Sequence, residues 1–191
     1  MWYNKKMEDK DTKKIYVLLT HTGTILSKMV KKHTGGEYNH ASISIDDSLE
    51  NMYSFSRVNP YIAFIGAFMK ENYKTGTFKR FKKTKAELIE FTVSEKTYTE
   101  IVSFLEKEYA ERKKYGYAYR GLFKAGKGIV YRKKNAFYCS EFCWYVLEKF
   151  GVLEKRLGKE VILPMDFIEK TNGKIVYKGL LNEYKREEKN N

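Results

Sequence analysis

Apolar residues recur along this chain with two periods, and the helical one is sharpest at Phe137–Leu147 (FYCSEFCWYVL). Phe142, Tyr145, Val146 and Phe150 return at three- and four-residue steps, which predicts an amphipathic helix. Gly151 follows as a C-terminal stop. Cys139 then falls in the first turn, where unpaired backbone N–H groups and the positive dipole end favour a thiolate. A thiol so placed titrates below the roughly 8.5 of a free cysteine.

Strand-like runs flank this helix in sequence. Ile15–Thr20 reads as a buried strand, rich in β-branched and aromatic residues. Thr22 or Thr24 is a cap for a short helix through Ile25, Leu26, Met29 and Val30, ended by Gly35-Gly36. Ala41–Ile45 alternates strictly, Asp46-Asp47-Ser48 is turn chemistry, and Leu49–Phe55 returns as the second strand of a hairpin. With Ile45 facing Leu49, the residues Ala41, Ile43, Ile45, Leu49, Tyr53 and Phe55 share one face. His40, Ser42, Ser44, Glu50, Met52 and Ser54 share the other. That register sets His40 directly across from Ser54, with Cβ atoms roughly 5 Å apart.

Arg57–Tyr73 reads as a loop-like connection, with Asn59-Pro60 as a turn and Gly66 as a flexible point. Thr77–Lys82 and Glu87–Val93 are expected strands. Ser94 caps a helix to about Arg112, with Tyr98, Ile101, Val102, Leu105 and Tyr109 as its apolar stripe. Tyr115–Ala125 is expected to be a shorter aromatic helix, and Lys127–Asn135 a loop leading to Cys139. Pro164 opens a short helix ended by Gly173, and Lys174–Leu181 is a last strand. Helices bracketed by strands, with a hairpin in place of regular βαβ units, indicate an α+β fold.

Composition adds a domain count. A chain of 191 residues with 42% hydrophobic and 16% aromatic content can bury one core. The expected organisation is a polar arm over residues 1–13, one domain over 14–184 and a polar tail over 185–191. The net charge of +13 comes mostly from scattered lysines. It is read first as a solvated surface, and second as attraction to an anionic partner. No zinc-finger spacing, RNP-like run or basic heptad is visible, which argues against a specific nucleic-acid partner. Arg132-Lys133-Lys134 just before Phe137 keeps open a preference for an acidic substrate.

Two cysteines at i and i+4 of one helix do not form a disulfide framework, which suits a reducing compartment. The longest early apolar run, Ile15–Leu19, is too short for a signal or transmembrane segment, so a cytoplasmic protein is expected.

Three histidines are available. His33 sits among lysines as a solvated helix end, and His21 follows a strand with no special pattern. His40 opens the polar stripe of the hairpin. Alone it reads as a hydrogen-bonded structural residue, but with a cysteine at a helix start it makes a candidate dyad, because thiolate chemistry needs an imidazole within reach. Cys143 is read as a small core residue. A zinc site from Cys139, Cys143 and His40 lacks a fourth ligand and the usual cysteine spacing, so no metal or other cofactor is expected.

Asn39-His40-Ala41-Ser42-Ile43, followed about a hundred residues later by Tyr138-Cys139-Ser140-Glu141-Phe142, resembles the permuted branch of the NlpC/P60 papain-like superfamily, in particular its YiiX/YaeF-like amidases. Met52–Arg57, Gly66-Ala67-Phe68 with Glu71, and Pro164-Met165-Asp166-Phe167 extend the resemblance over most of Ile15–Tyr177. In this branch the histidine precedes the cysteine, as here. The resemblance implies a permuted papain-like fold, an antiparallel sheet packed against helices with the nucleophile at a helix N-terminus.

It further implies Cys139 as nucleophile, His40 as base and a third polar group that orients the ring. The hairpin register offers Ser54 for that role, where relatives commonly have an acidic residue. Tyr38, Tyr138 and Glu71 are candidates for substrate binding. The implied activity is cleavage of an amide or isopeptide bond in a small peptide, including cell-wall-derived peptides, through a thioester. Two alternatives stand beside it: a thiol acyltransferase or lipid hydrolase of the lecithin–retinol acyltransferase type, and a non-catalytic binding module on the same fold.

Overall fold

The computed structural model describes residues 11–23, 36–59 and 66–186. The expected short helix through Ile25 and Val30, and His33, lie outside the described residues. The chain builds an α+β fold around a six-stranded antiparallel sheet in the order β4-β3-β2-β1-β5-β8. Its strands are β1 (Thr12–His21), β2 (His40–Ser44), β3 (Met52–Arg57), β4 (Gly66–Glu71), β5 (Lys85–Ser94) and β8 (Lys174–Leu180). A two-stranded parallel pair, β6 (Gly116–Tyr117) and β7 (Ala136–Phe137), lies beside them. The helices are α1 (Gly76–Arg80), α2 (Glu95–Ala110), α3 (Tyr119–Ala125), α4 (Cys139–Lys149) and α5 (Asp166–Glu169).

β1 sits centrally because it is apolar on both sides. Ile15, Val17 and Leu19 join the main core with Ala41, Ile43, Tyr53 and Phe55, whereas Tyr16 and Leu18 join a second cluster with Met52, Phe78 and Leu88. The main core is covered by α2, through Ile101 and Leu105, and by α4, through Phe142, Cys143, Trp144, Val146 and Leu147. Phe142 stands at its centre, with ring centroids 4.7 Å from Phe68, 5.1 Å from Phe55 and 5.8 Å from Phe137. Helix α2 begins where Ser94 Oγ accepts the Thr97 N–H at 3.1 Å. Ser94→Ala is expected to cost about 1 kcal/mol, read from urea unfolding.

Two expectations about elements are corrected. The segment expected as a strand over Thr77–Lys82 holds the helix α1, whose Phe78 is buried against Leu88 and Leu181 on the second face of the sheet. Docking of that single aromatic overrides local pattern in so short a segment. The connection expected as a loop over Arg57–Tyr73 contains β4, which pairs along the whole of β3 from Met52↔Glu71 to Arg57↔Gly66. Gly66 acts there through close approach, since a Cβ at that position would stand 2.3 Å from the Tyr117 ring.

The hairpin register is also corrected. Ile43 faces Tyr53 and Ser44 faces Met52, two residues away from the expected pairing. The turn is longer than Asp46-Asp47-Ser48. Asp46 Oδ1 accepts the Ser48 N–H at 2.8 Å, Glu50 N–H reaches Ser48 Oγ, and Leu49 adopts a positive φ of 55°. Leu49 consequently packs with Met52 in the second cluster, away from the main core where it was placed. A slip of two preserves face parity, so Ala41, Ile43, Tyr53 and Phe55 remain together.

Candidate active site

His40 is the first residue of β2. The Asn39 N–H is bonded to the Thr20 carbonyl at 3.1 Å and Thr20 is the ladder partner of His40, so the ring is carried on an anchored strand end. Its Nε2 lies 3.2 Å from Glu71 Oε2 and 3.2 Å from Ser42 Oγ. Ser42 Oγ donates its single proton to Glu71 Oε2 at 2.6 Å, and Ser54 Oγ donates to the same oxygen at 2.7 Å. Ser42 can therefore only accept from the ring, which fixes the proton on Nε2. Nδ1 is the nitrogen left to meet the thiol.

The sequence expectation of Ser54 opposite His40 is corrected by this geometry. The two-residue register difference aligns Ser54 with Ser42, and the group that meets the ring is Glu71, delivered by β4. Ser54 and Ser42 hold the carboxylate in place; both are fully buried. Glu71, expected to contact substrate, has its carboxylate engaged with His40. Glu50 is occupied by Lys74 at the surface.

Cys139 opens α4 and is 4% exposed. Its thiol lies beside the His40 ring and the backbone N–H groups of Ala41 and Ser140, each of which favours its charged form. The helix start is held by its neighbours. Arg132 Nε bonds Glu141 Oε1 in the first turn at 3.0 Å. Ser140 Oγ donates to the Ile162 carbonyl at 2.9 Å. The Arg132–Glu141 pair was not anticipated from the sequence, because it depends on the preceding loop folding back onto the helix start.

The charges follow from these contacts. Burial opposes the charged forms throughout, and the ion pairs overcome it. Against burial, the Glu71 charge and the bond to Cys139 raise His40 from its ordinary 6.5 to about 10. Against burial, His40 and the hydroxyls of Ser42 and Ser54 lower Glu71 from 4.5 to about 2. Cys139 is lowered as well: burial pushes it up, and its bond with His40, the His40 charge and the two backbone donors outweigh that push. At neutral pH the array holds a carboxylate and an imidazolium, and the same contacts shift Cys139 toward its thiolate. Cys143, one turn further on, is fully buried in the main core and raised by burial, an inert thiol.

Linkage gives this array a pH signature. Glu71 is depressed, so its stabilisation is present above about 4.5 and lost as pH falls through about 2. His40 is raised, so its stabilisation is complete below 6.5 and lost as pH rises through about 10. Both describe the same pair. Thermal unfolding followed from pH 6 to pH 10 is expected to show a larger fall in Tm for the parent than for Glu71→Gln, in which the ring has lost its carboxylate partner.

Tyr117 flanks the array. Its ring lies over Gly66 and packs against Tyr119 with centroids 4.5 Å apart and planes tilted by 36°, and burial together with the nearby Cys139 raises its hydroxyl far above the ordinary tyrosine range. Tyr38 and Tyr138, expected to contact substrate, are 1% and 4% exposed. Tyr38 packs in the main core, and Tyr138 with Ala118, Ala125 and Ala136. The described residues contain no cluster of three or more His, Cys, Asp or Glu side chains able to hold a metal, and no helix long and apolar enough to cross a membrane. Comparison with protein-family models, curated proteins and solved structures finds no match to this chain.

Proposed function

We propose that this chain is a thiol hydrolase of permuted papain-like type, cleaving an amide or isopeptide bond in a small peptide through a thioester. What carries the reading is the continuous array Cys139–His40–Glu71, with the ring proton fixed on Nε2 and the sulfur at a helix start. The resemblance of the motifs around His40 and Cys139 to YiiX/YaeF-like amidases supports it, and Glu71 supplies the acidic third group common in those relatives.

In this reading the thiolate attacks the carbonyl carbon, forming the C–S bond. The Cys139 N–H at the start of α4 donates to the resulting oxyanion. His40 gives its Nδ1 proton to the leaving amine as the C–N bond breaks. The ring then takes a proton from water, whose oxygen attacks the thioester and releases the acid and the thiolate. Glu71 keeps the ring oriented and its charged form stable throughout, as a positioning residue.

The test is trapping. The full chain is incubated with peptide amides, including isopeptide-linked ones, quenched in acid and weighed intact. A mass increase equal to an acyl group, present in the parent and absent in Cys139→Ala, is the expected result. A substrate that is hydrolysed equally by both proteins would overturn the assignment. The same nucleophile would also accept an acyl group from a lipid ester. A basic, acid-free segment from Gly116 to Ser140 is the observation that favours this second reading.

A further inference from the structure

Exposed apolar side chains cluster at one place near the site. Phe123 is 62% exposed on α3, and Ile129 and Val130, 48% and 39% exposed, follow in the loop after it. The loop folds back tightly: Gly128 takes a positive φ of 71°, and the Ile129 N–H bonds the Lys124 carbonyl at 2.9 Å. This returns the Ile129 backbone to Lys124 in the last turn of α3.

Along this segment of the chain the charge has a single sign, with Glu141 and Glu160 from other elements beside Ile129, Val130 and Arg132. From Gly116 to Ser140 the chain carries Arg120, Lys124, Lys127, Arg132, Lys133 and Lys134 and no acidic residue. Lys127 Nζ stands 4.6 Å from the centre of the Phe123 ring, and Lys124 Nζ stands 4.3 Å from that of Tyr131. Ammonium groups are thus interleaved with apolar and aromatic side chains on one exposed turn.

We propose that this face, formed by α3 and the loop to Asn135, docks on an anionic lipid bilayer. Aromatic and aliphatic tips enter the headgroup boundary while lysines on the same turn meet lipid phosphates. Nucleic acid would satisfy the lysines and could stack on Phe123, but Ile129 and Val130 offer no flat surface to a base. A bilayer accepts both kinds of group at once. The segment leads directly into β7 and Cys139, and Arg132 ties it to Glu141 in the first turn of α4. Docking therefore holds the thiol site near the membrane surface, and it stands whether or not the hydrolase reading holds.

The experiment uses full-length Cys139→Ala, which forms no thioester, sedimented with vesicles of equimolar phosphatidylglycerol and phosphatidylcholine or of phosphatidylcholine alone. The protein is expected to pellet with the anionic vesicles only. Phe123→Ser/Ile129→Ser is expected to lower the partition about tenfold or more, and Lys124→Gln/Lys127→Gln about thirtyfold, at roughly fivefold per lysine. These side chains are exposed or half-buried, and an unchanged Tm checks that the variants fold. Failure to bind anionic vesicles would overturn the proposal. So would binding unaffected by the Phe123 and Ile129 changes, which would reflect diffuse attraction to the +13 charge. Retention on single-stranded RNA that is lost in these variants, without vesicle binding, would assign the face to nucleic acid instead.

Discussion

His40→Ala is expected to slow alkylation of Cys139 by iodoacetamide about a hundredfold at pH 6. In the parent the thiolate form is favoured by the imidazolium and by the Ala41 and Ser140 N–H groups. Without the ring, burial is the dominant influence, and the thiol returns to or above the free-cysteine range of about 8.5. At pH 6 that leaves well under ~1% thiolate, partly offset because a more basic thiolate is intrinsically more nucleophilic. Labelling is read by mass in a Cys143→Ala background, so that one thiol is counted. Glu71→Gln should fall between the two, since the ring remains but loses the carboxylate that raises it to about 10. Equal rates for parent and His40→Ala would remove the dyad.

The second large effect concerns stability. Phe142→Ala should cost about 3–5 kcal/mol in urea unfolding. Phe142 is fully buried, and four phenylalanines meet there, since the rings of Phe55, Phe68 and Phe137 all pack against its own. The cavity could close only by moving α4 against β2 and β3, which α4 covers. Moving α4 displaces Cys139 from His40, so the surviving folded fraction should also show a more basic thiol. Phe142→Leu keeps most of the volume and is expected to retain both more stability and the acidic thiol. A loss below about 1 kcal/mol for Phe142→Ala would mean that α4 is not seated as described.

The parts of the site carried by local pattern were legible in the chain. Three- and four-residue spacing placed Cys139 at a helix start, and strict alternation placed His40 at the head of a strand with Ala41 and Ile43 facing the core. Ser94 announced α2 for the same local reason. What was missed depended on distant partners. Glu71 reaches His40 only because β4 adds to β3, and its sequence, preceded by Pro60 and opened by Gly66, looks like a connection until the Tyr117 ring is laid against Gly66. The hairpin register failed by two because turn chemistry was read as a minimal loop. The Asp46–Ser48 bonds and the positive φ of Leu49 extend it. Parity survived that error, so the polar face was right while the partner within it was wrong. Helix α1 is too short for period to decide, and one buried ring, Phe78, decides it.

The most direct test of the central claim is the protonation state of the His40 ring, followed by nitrogen NMR of the full chain as pH is raised. Both ring nitrogens should be protonated at neutral pH, with the Nδ1 proton lost only near pH 10. In Glu71→Gln that loss should move to lower pH, because burial is then opposed by the thiolate alone. A ring that is neutral at neutral pH in the parent, titrating near its ordinary 6.5 or below, would contradict the thiolate–imidazolium array.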